Sequence, residues 1–414
     1  MRLGNILNWT YIYLCILTWA IDTILGNNLI SPLHIDVAVL FMACLVNSRD
    51  AYFCKAFTSG PIMIWGLWTI YSIVNWFICP YDESTAESHM RWYWNIFSLS
   101  KTYFMLVLIY YEACRNLTRT IKFITYAFIL YLIIGIGGQW DAPMREEKTW
   151  EGRNGTILGN HFPLNMLCSL FVLILGNIYG YIKKKQLIIW MGIVTFVIFW
   201  VATRKAMGGM FIIILFYIIA RIKILSFVNL LKLFTISIIL ILLSSLIMDY
   251  TLVGLRINTL RTNDNDINQD VPVWLEFLGD RAIQYVKAWE VFRQHPINGV
   301  GLGNSMNYTG LPFPIHSEYM EQLCEGGIIG AFLYLCFIFN IIKCIRKAWV
   351  KRSRSVTIIC IGGMSVLLFL SFTTWVYNIP CFFIIYALVI AYCNPQTTQE
   401  MPYEYIYYKK YIYA

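Results

Sequence analysis

Long uninterrupted apolar runs are the feature that most limits how this chain can fold. The segments LIIWMGIVTFVIFWVAT (187–203) and FIIILFYIIA (211–220) leave no polar face to meet water. Crossing roughly 30 Å of hydrocarbon takes about 20 mostly apolar residues, and the chain offers that length many times over. Only 13% of its residues are charged, against about a quarter in a typical soluble domain. The pattern predicts an all-α polytopic membrane protein.

We predict about 12 transmembrane helices, in a membrane domain that covers residues 1–394 and is followed by a tail at 395–414. The first is interpreted as an uncleaved span, because Asp22 interrupts its far end and no small-x-small cleavage site follows. The predicted spans lie near residues 9–27, 33–47, 61–80, 93–113, 121–139, 161–182, 187–203, 206–220, 233–249, 325–342, 356–375 and 378–394.

The distribution of charge predicts which side of the membrane each connection faces. Alternate connections collect most of the 32 lysines and arginines, in segments such as KKK (183–185) and KCIRKAWVKRSR (343–354). The positive-inside rule places these connections, both termini and the tail in the cytoplasm. Most acidic residues lie on the other side. The net charge of +9 therefore reflects topology in part, and we predict no nucleic-acid partner.

The connection at 250–324, between the ninth and tenth spans, is predicted to be a large outside loop. Long loops of this kind tend to be functional. Its segment 279–295 predicts an amphipathic helix that lies on the membrane surface or on the protein itself, and Pro296 ends it. The helix would place Ile283, Val286 and Trp289 on one side and Gln284 and Lys287 on another.

A glycine cluster follows that helix, in NGVGLGNSMNYTGLPFPIHSEYMEQLCEGGIIG (298–330). A dinucleotide fingerprint needs a strand before its glycines and a helix after them, whereas here a helix precedes and a Pro-rich loop follows. Gly299, Gly301 and Gly303 instead predict a tight turn where backbone approaches backbone or ligand closely. On residue type alone His316 is either an interfacial side chain or a functional one.

Three glutamates follow the histidine at helical spacing, at Glu318, Glu321 and Glu325. They could share one face of an entering helix. Solvated carboxylates near the positive end of a helix dipole remain an equal alternative for them. The 12 cysteines show neither a CxxC nor a metal-ligand spacing, and we interpret them as small packing residues.

The glycine and histidine segments together resemble the signature of the O-antigen ligase and O-antigen polymerase superfamily. That signature is a P-x-x-G-x-G-x-G turn, a variable loop, H-N-x-Y-L and E-x-G-x-x-G before a membrane helix. Ser317 stands where the family usually has asparagine, and Met320 where it has leucine. The matching residues are Pro296, Gly299, Gly301, Gly303, His316, Tyr319, Glu325, Gly327 and Gly330.

Three further segments are similar to the family in the same order, and the resemblance runs from about residue 150 to 345. GRNGTILGN (152–160) contains Arg153, TRKAMGG (203–209) contains Arg204, and GDRAIQ (279–284) contains Arg281. Arg204 also lies between two very apolar runs, where a cation is costly and tends to mark a site. Snorkelling to the interface together with Lys205 is the alternative for Arg204.

The resemblance implies a bacterial inner-membrane glycosyltransferase that works without a metal or another cofactor. Such enzymes move a glycan from a polyprenyl diphosphate (undecaprenyl diphosphate) to an acceptor hydroxyl at the outer face of the membrane. Arginine suits the diphosphate, so we assign Arg204 and Arg281, and more weakly Arg153, to it. His316 is the expected general base. Glu318 and Glu325 are expected to orient the histidine or bind acceptor sugar, and Gly301 and Gly303 are expected to contribute to substrate binding.

The alternatives differ in acceptor or in class. We expect polymerisation of O-antigen, capsular or exopolysaccharide repeat units, with a ligase that joins the glycan to lipid A-core, or a protein O-glycosylating enzyme, as variants within the superfamily. From another class comes a lipid-linked-sugar flippase or transporter, for which Asp22, Asp36 and Lys101 are the few charged candidates in the spans. The expected partners are the lipid-linked glycan, the bilayer and other polysaccharide-assembly proteins. Sugar identity, linkage and oligomeric state leave no mark in the sequence.

Overall fold

The computed structural model describes residues 3–25, 35–79, 86–137, 161–200, 204–221, 282–311, 315–374, 376–377 and 379–394. Within these ranges the secondary structure is helical and there is no β-strand. The all-α prediction is confirmed for this part of the chain. It also carries several apolar helices, as a membrane protein requires.

The helices are α1 (Leu3–Leu25), α2 (Ile35–Asn47), α3 (Ala51–Phe57), α4 (Gly60–Ile78), α5 (Ala86–Arg115), α6 (Leu117–Gly137), α7 (His161–Ile178), α8 (Lys184–Trp200), α9 (Arg204–Arg221), α10 (Ala282–Gln294), α11 (Ser305–Thr309), α12 (Glu318–Lys351), α13 (Arg354–Ser371) and α14 (Pro380–Cys393).

Four of the described helices are long and apolar enough to cross a membrane, namely α4, α6, α12 and α13. Shorter apolar stretches occur in α1, α2, α7 and α14. Each predicted span except the ninth overlaps a described helix. The ninth span (233–249), most of the large loop and the tail lie outside the described residues, so the number of spans and the sides they connect stay predictions.

The last helix, α14, lies at the centre of the bundle. All its residues from Cys381 to Cys393 are buried, and it packs against α5, α7 and α12. A helix that is apolar on every side is suited to such an enclosed position. Hydropathy predicts one more span here, whereas the packing shows that this helix is enclosed by its neighbours.

Two buried acids in the described helices, Asp36 and Glu112, have basic partners. Asp36 of α2 is 1% exposed and forms an ion pair with Lys101 of α5 at 2.6 Å. Glu112 is fully buried and accepts hydrogen bonds from Asn8 at 2.8 Å and Arg119 at 2.9 Å. Because a charge inside a membrane protein is costly unless it is paired, these contacts account for the acids as structural elements.

An exposed apolar stripe runs along the outer face of α12. Its members recur at intervals of three and four residues, so they lie on one side of the helix. They are Phe332, Leu335, Phe339 and Ile342, which are 64%, 56%, 66% and 46% exposed. A row of large apolar side chains of this kind fits contact with lipid chains rather than with water.

Candidate active site

The glycine cluster forms a tight turn between α10 and α11. Gly299, Gly301 and Gly303 all have positive φ angles, of 66°, 88° and 78°. This left-handed region is open to glycine and strained for most other residues. The three alternating glycines therefore occupy three positions that all have a positive φ angle.

The turn inserts into a break in α12. At Gly327 the helix has φ 60° and ψ −159°, a conformation open in practice only to glycine. Four backbone hydrogen bonds between the turn and the helix replace those lost at the break. They run from Ile328 to Pro296 (2.8 Å), from Ile329 to Ile297 (3.4 Å), from Val300 to Cys324 (2.9 Å) and from Gly301 to Glu325 (2.9 Å).

Two of these glycines face each other so closely that neither tolerates a side chain. A Cβ atom at Gly299 would lie 2.5 Å from the carbonyl oxygen of Glu325, and one at Gly327 would overlap the carbonyl oxygen of Ile297. The predicted close approach of backbone to backbone is confirmed. The amide of Gly301 is engaged with α12, so the cluster does not present a row of free amides as a phosphate cradle would.

Side chains of α4 hold the junction from the other side. Tyr71 donates its hydroxyl to the carbonyl of Gly326 at 2.7 Å. The side-chain amide of Asn75 donates to the carbonyls of Asn298 at 2.6 Å and Glu325 at 3.0 Å. Sequence reasoning missed both residues, although a buried asparagine in an apolar span was an available signal.

The helix α10 packs on the protein through the side that carries Gln284. Ala282, Gln284, Ala288 and Val291 are buried, whereas Trp289 is 48% exposed. Gln284 and Trp289 thus lie on different sides, as predicted, and small alanines allow the Gln284 side to pack closely against α11 and α12. The spacing of 284, 288 and 291 was the signal for this face.

His316 lies between the loop and the start of α12 and is half buried. Its backbone N–H donates to the side-chain oxygen of Gln284 at 2.9 Å, which ties the histidine to α10. Ser317 follows as the N-cap residue of α12 and is fully buried, and its hydroxyl has no hydrogen-bond partner among the described residues. Ser317, one of the two residues that depart from the family pattern, therefore lies inside the protein beside the histidine.

The three glutamates are buried, at 0%, 4% and 5% exposure for Glu318, Glu321 and Glu325. The alternative that they are solvated is wrong. Among the described residues none of them forms an ion pair. Neutral donors surround them instead, which is how a carboxyl group is accommodated away from water.

Glu318 fixes the start of α12 to the segment between α13 and α14. It accepts from the backbone N–H groups of Val376 at 2.9 Å and Tyr377 at 3.3 Å. Gln322 donates to it at 3.3 Å and itself accepts from the indole of Trp68 at 2.8 Å. The chain of contacts runs from α4 through α12 to the following loop.

Glu321 and Glu325 have separate partners. The hydroxyl of Tyr377 hydrogen bonds to Glu321, and the backbone N–H of Ser305 donates to Glu325 at 3.3 Å. Burial, followed by the neighbouring Glu321, Glu325 and Glu318, raises the pKa of Tyr377 well above its ordinary value. That hydroxyl therefore keeps its proton and acts as a donor to the carboxyl group.

Both α10 and α12 contact the C-terminal end of α13. Tyr319, in the first turn of α12, donates its hydroxyl to the carbonyl of Leu368 at 3.1 Å, and its ring lies 4.7 Å from that of Phe372. Tyr285, in the first turn of α10, donates to the carbonyl of Phe372 at 3.0 Å. Both helices thus begin at the same end of the bundle.

The helix α9 begins at that end as well. Its Gly208 lies against the ring of Phe369, and a Cβ atom there would approach the ring to 2.7 Å. Arg204 is the first residue of α9 and lies one turn before Gly208. The structure describes its backbone but not its side chain. Arg281 immediately precedes α10 in the sequence but, like Arg153, lies outside the described residues.

The structure thus brings His316, Glu318, Glu325, Gly301 and Gly303 into one region, at the end of the bundle where α9 and α10 begin. Residues 187–335 match a family model described as O-antigen ligase. The match includes α8, α9, α10, α11 and the first half of α12, and it begins after Arg153. The search of the curated proteins found no match for the chain. This match supports the resemblance of residues 187–335 to the O-antigen ligase and O-antigen polymerase superfamily, whose members are glycosyltransferase-like membrane enzymes.

Proposed function

We propose that the protein transfers a polyprenyl-diphosphate-linked glycan to an acceptor sugar hydroxyl at the outer face of the bacterial inner membrane. The reaction polymerises repeat units of an O-antigen, capsular or exopolysaccharide. One observation carries the proposal: the segment that matches the family contains His316 and the first residues of α9 and α10, which start at the same end of the bundle.

The reaction has two chemical demands. The acceptor oxygen forms a bond to the anomeric carbon, and the bond from that carbon to the diphosphate breaks. The lipid diphosphate leaves with the bonding electron pair, so negative charge develops on it. Arg204, Arg281 and Arg153 would neutralise this charge without a metal, because a guanidinium is permanently charged and its fork of donors matches phosphate oxygens.

The acceptor hydroxyl must lose its proton as the new bond forms. His316 would take this proton, since an imidazole titrates near neutral pH. Its backbone is tied to Gln284, and α12 begins two residues later. These contacts support a fixed position for the histidine, and a fixed position is what general-base catalysis needs.

Glu318 and Glu325 would act through position rather than by contact with the acceptor sugar. Both are buried and bind backbone N–H groups of neighbouring segments. These contacts favour the proposed role of orienting the histidine segment over that of binding sugar. Gly301 and Gly303 would contribute in the same way, by shaping the turn that holds α12.

The test is glycan analysis in a deletion strain complemented with variants of this chain. His316→Ala and Arg281→Ala should abolish polymerised surface polysaccharide while the proteins remain in the membrane. Matched controls are His295→Ala, at the end of α10, and Arg293→Ala, which is exposed on α10. Both should restore full-length polysaccharide. Restoration by His316→Ala and Arg281→Ala would overturn the assignment.

The same experiment separates polymerase from ligase. A failed polymerase leaves single repeat units on the lipid carrier, whereas a failed ligase leaves long chains that are not attached to lipid A-core. Long unattached chains in the deletion strain would replace the polymerase proposal with the ligase alternative. If the protein is a flippase, its deletion would instead trap lipid-linked repeats at the cytoplasmic face, where an outer-face labelling reagent cannot reach them.

A further inference from the structure

We propose that a cavity at the C-terminal end of α12 binds the phosphate-bearing headgroup of an anionic membrane lipid. The cavity measures about 710 Å³, and α3, α4, α5, α12 and the C-terminal end of α14 line it. None of the described residues that line it is acidic. The cationic residues that line it are Lys55, Lys343, Lys347, Lys351 and Arg352. We refer to it as the basic cavity.

Its lysines converge from two helices without counter-ions. Lys343, Lys347 and Lys351 are spaced by four residues, so they lie on one face of α12, and Lys55 comes from α3. All four are exposed. Among the described residues none of them forms an ion pair with a carboxylate. Like charges at this spacing repel one another, and a bound anion would relieve that repulsion.

The start of α4 adds a backbone donor to the cavity. Ser59, Gly60 and Pro61 line it, and Gly60 is the donor among them, because Pro61 has no N–H and the N–H of Ser59 donates to the carbonyl of Ala56 at 3.3 Å. Ser59 is the N-cap residue of this 19-residue helix but makes no side-chain cap hydrogen bond. The first amides of a helix carry partial positive charge and bind phosphate oxygens well. Lysines and a helix start directed into one cavity thus match a phosphate group in charge and in donors.

The surface next to the cavity favours a lipid over a soluble phosphate compound. The exposed apolar stripe of α12 includes Phe339, one turn before Lys343. Trp349 and Val350 are 45% and 82% exposed at the same end of the helix. A headgroup in the cavity would therefore have its acyl chains beside an apolar face, as basic pockets between membrane helices provide.

The basic cavity is remote from the candidate active site. Glu318 precedes the break in α12 at Gly327, and the helix from Ile328 to Lys351 alone spans about 35 Å at 1.5 Å per residue. The positive-inside rule assigns the lysine-rich end to the cytoplasm. The proposed lipid therefore differs from the glycan carrier in both site and side, and the inference stands apart from the proposed function.

The test measures lipid binding by the full chain in detergent micelles, with phosphatidylglycerol as the probe. Phosphatidylcholine, oleate and inorganic phosphate serve as comparison ligands. The protein should retain phosphatidylglycerol at least about tenfold better than phosphatidylcholine, because each lysine near the site favours anionic lipid. It should also retain it better than oleate, because a carboxylate offers fewer acceptor oxygens than a phosphate to the lysines and the start of α4. Inorganic phosphate that binds as tightly as phosphatidylglycerol would overturn the lipid assignment.

Two triple variants supply the matched comparison. Lys343→Gln, Lys347→Gln and Lys351→Gln together should lower phosphatidylglycerol retention at least about tenfold. Lys183→Gln, Lys184→Gln and Lys185→Gln remove the same charge from an exposed segment that does not line the cavity, and should change retention less than about twofold. Equal losses in the two variants, or no loss in the first, would refute the proposal. Lys347→Gln alone should give a smaller loss and tests the site should the triple variant fail to fold.

A chain that ends at Asn394 tests whether the tail occupies the cavity instead. Removal of residues 395–414 should leave phosphatidylglycerol retention unchanged. Retention that rises at least about tenfold on this truncation would assign the cavity to the tail and overturn the lipid proposal.

Discussion

The acidic residues at the start of α12 and the basic residues at its end have opposite environments. At its start Glu318, Glu321 and Glu325 are buried and held by neutral donors. At its end the lysines are exposed around a cavity and have no carboxylate partner in the described chain. Both placements suit the helix dipole, which favours acids at the start and bases at the end. Only the glutamates are part of the folded core. Substitutions at the start of α12 should therefore affect stability, whereas substitutions of the lysines at its end should affect ligand binding.

The largest effect is expected where the acidic end meets the glycine turn. Gly327→Ala adds a side chain where the backbone conformation costs about 1–3 kcal/mol for other residues, and the new Cβ atom overlaps the carbonyl of Ile297. We expect loss of the monodisperse folded protein, measured by thermal unfolding and size-exclusion chromatography in detergent. Gly326→Ala is the control, because its Cβ atom would have no neighbour closer than 3.8 Å. A Gly327→Ala protein as stable as this control would show that the turn is not locked to α12.

Removal of a buried carboxylate should come next. Glu318→Ala leaves the N–H groups of Val376 and Tyr377 without their acceptor, which should lower the free energy of unfolding by about 2–4 kcal/mol. Glu318→Gln keeps one acceptor oxygen and should lose less than half as much. Thermal unfolding of both variants ranks them. Equal losses would mean that these backbone contacts contribute little.

The α4 clamp should contribute a smaller amount. Asn75→Ala removes the donor to the carbonyls of Asn298 and Glu325, and we expect a loss of about 1–2 kcal/mol in thermal unfolding. Val74→Ala, at a neighbouring residue that is 46% exposed, is the control and should change stability less. The reverse order would show that lipid-facing bulk matters more than the clamp.

The basic end should give the smallest effect on stability. Lys347→Ala removes an exposed charge without an ion-pair partner in the described chain, so the free energy of unfolding should change by less than about 0.5 kcal/mol. The same thermal measurement checks it. A loss as large as that of Asn75→Ala would contradict the contrast between the two ends.

The glycine turn and the place of His316 just before α12 could be predicted because their signals are local. Three alternating glycines are typical of a turn with unusual backbone conformations. His316 could be singled out because the residues on both sides of it resemble the family signature. Gln284 and Asn75 could not be found in this way. Their importance depends on partners 32 and 250 residues away, His316 and Glu325, and a local pattern contains no information about such pairings.

The sequence by itself determined that the chain is helical and membrane-embedded, that its glycines form a turn, and that His316 follows that turn. Hydropathy and backbone freedom are properties of the residues themselves, so they can be read without a fold. Only the tertiary structure decided that α14 is the central helix, that the glutamates are buried, and that lysines from α3 and α12 enclose one cavity. Burial and convergence depend on which distant segments pack together, and that packing is settled only when the whole bundle assembles.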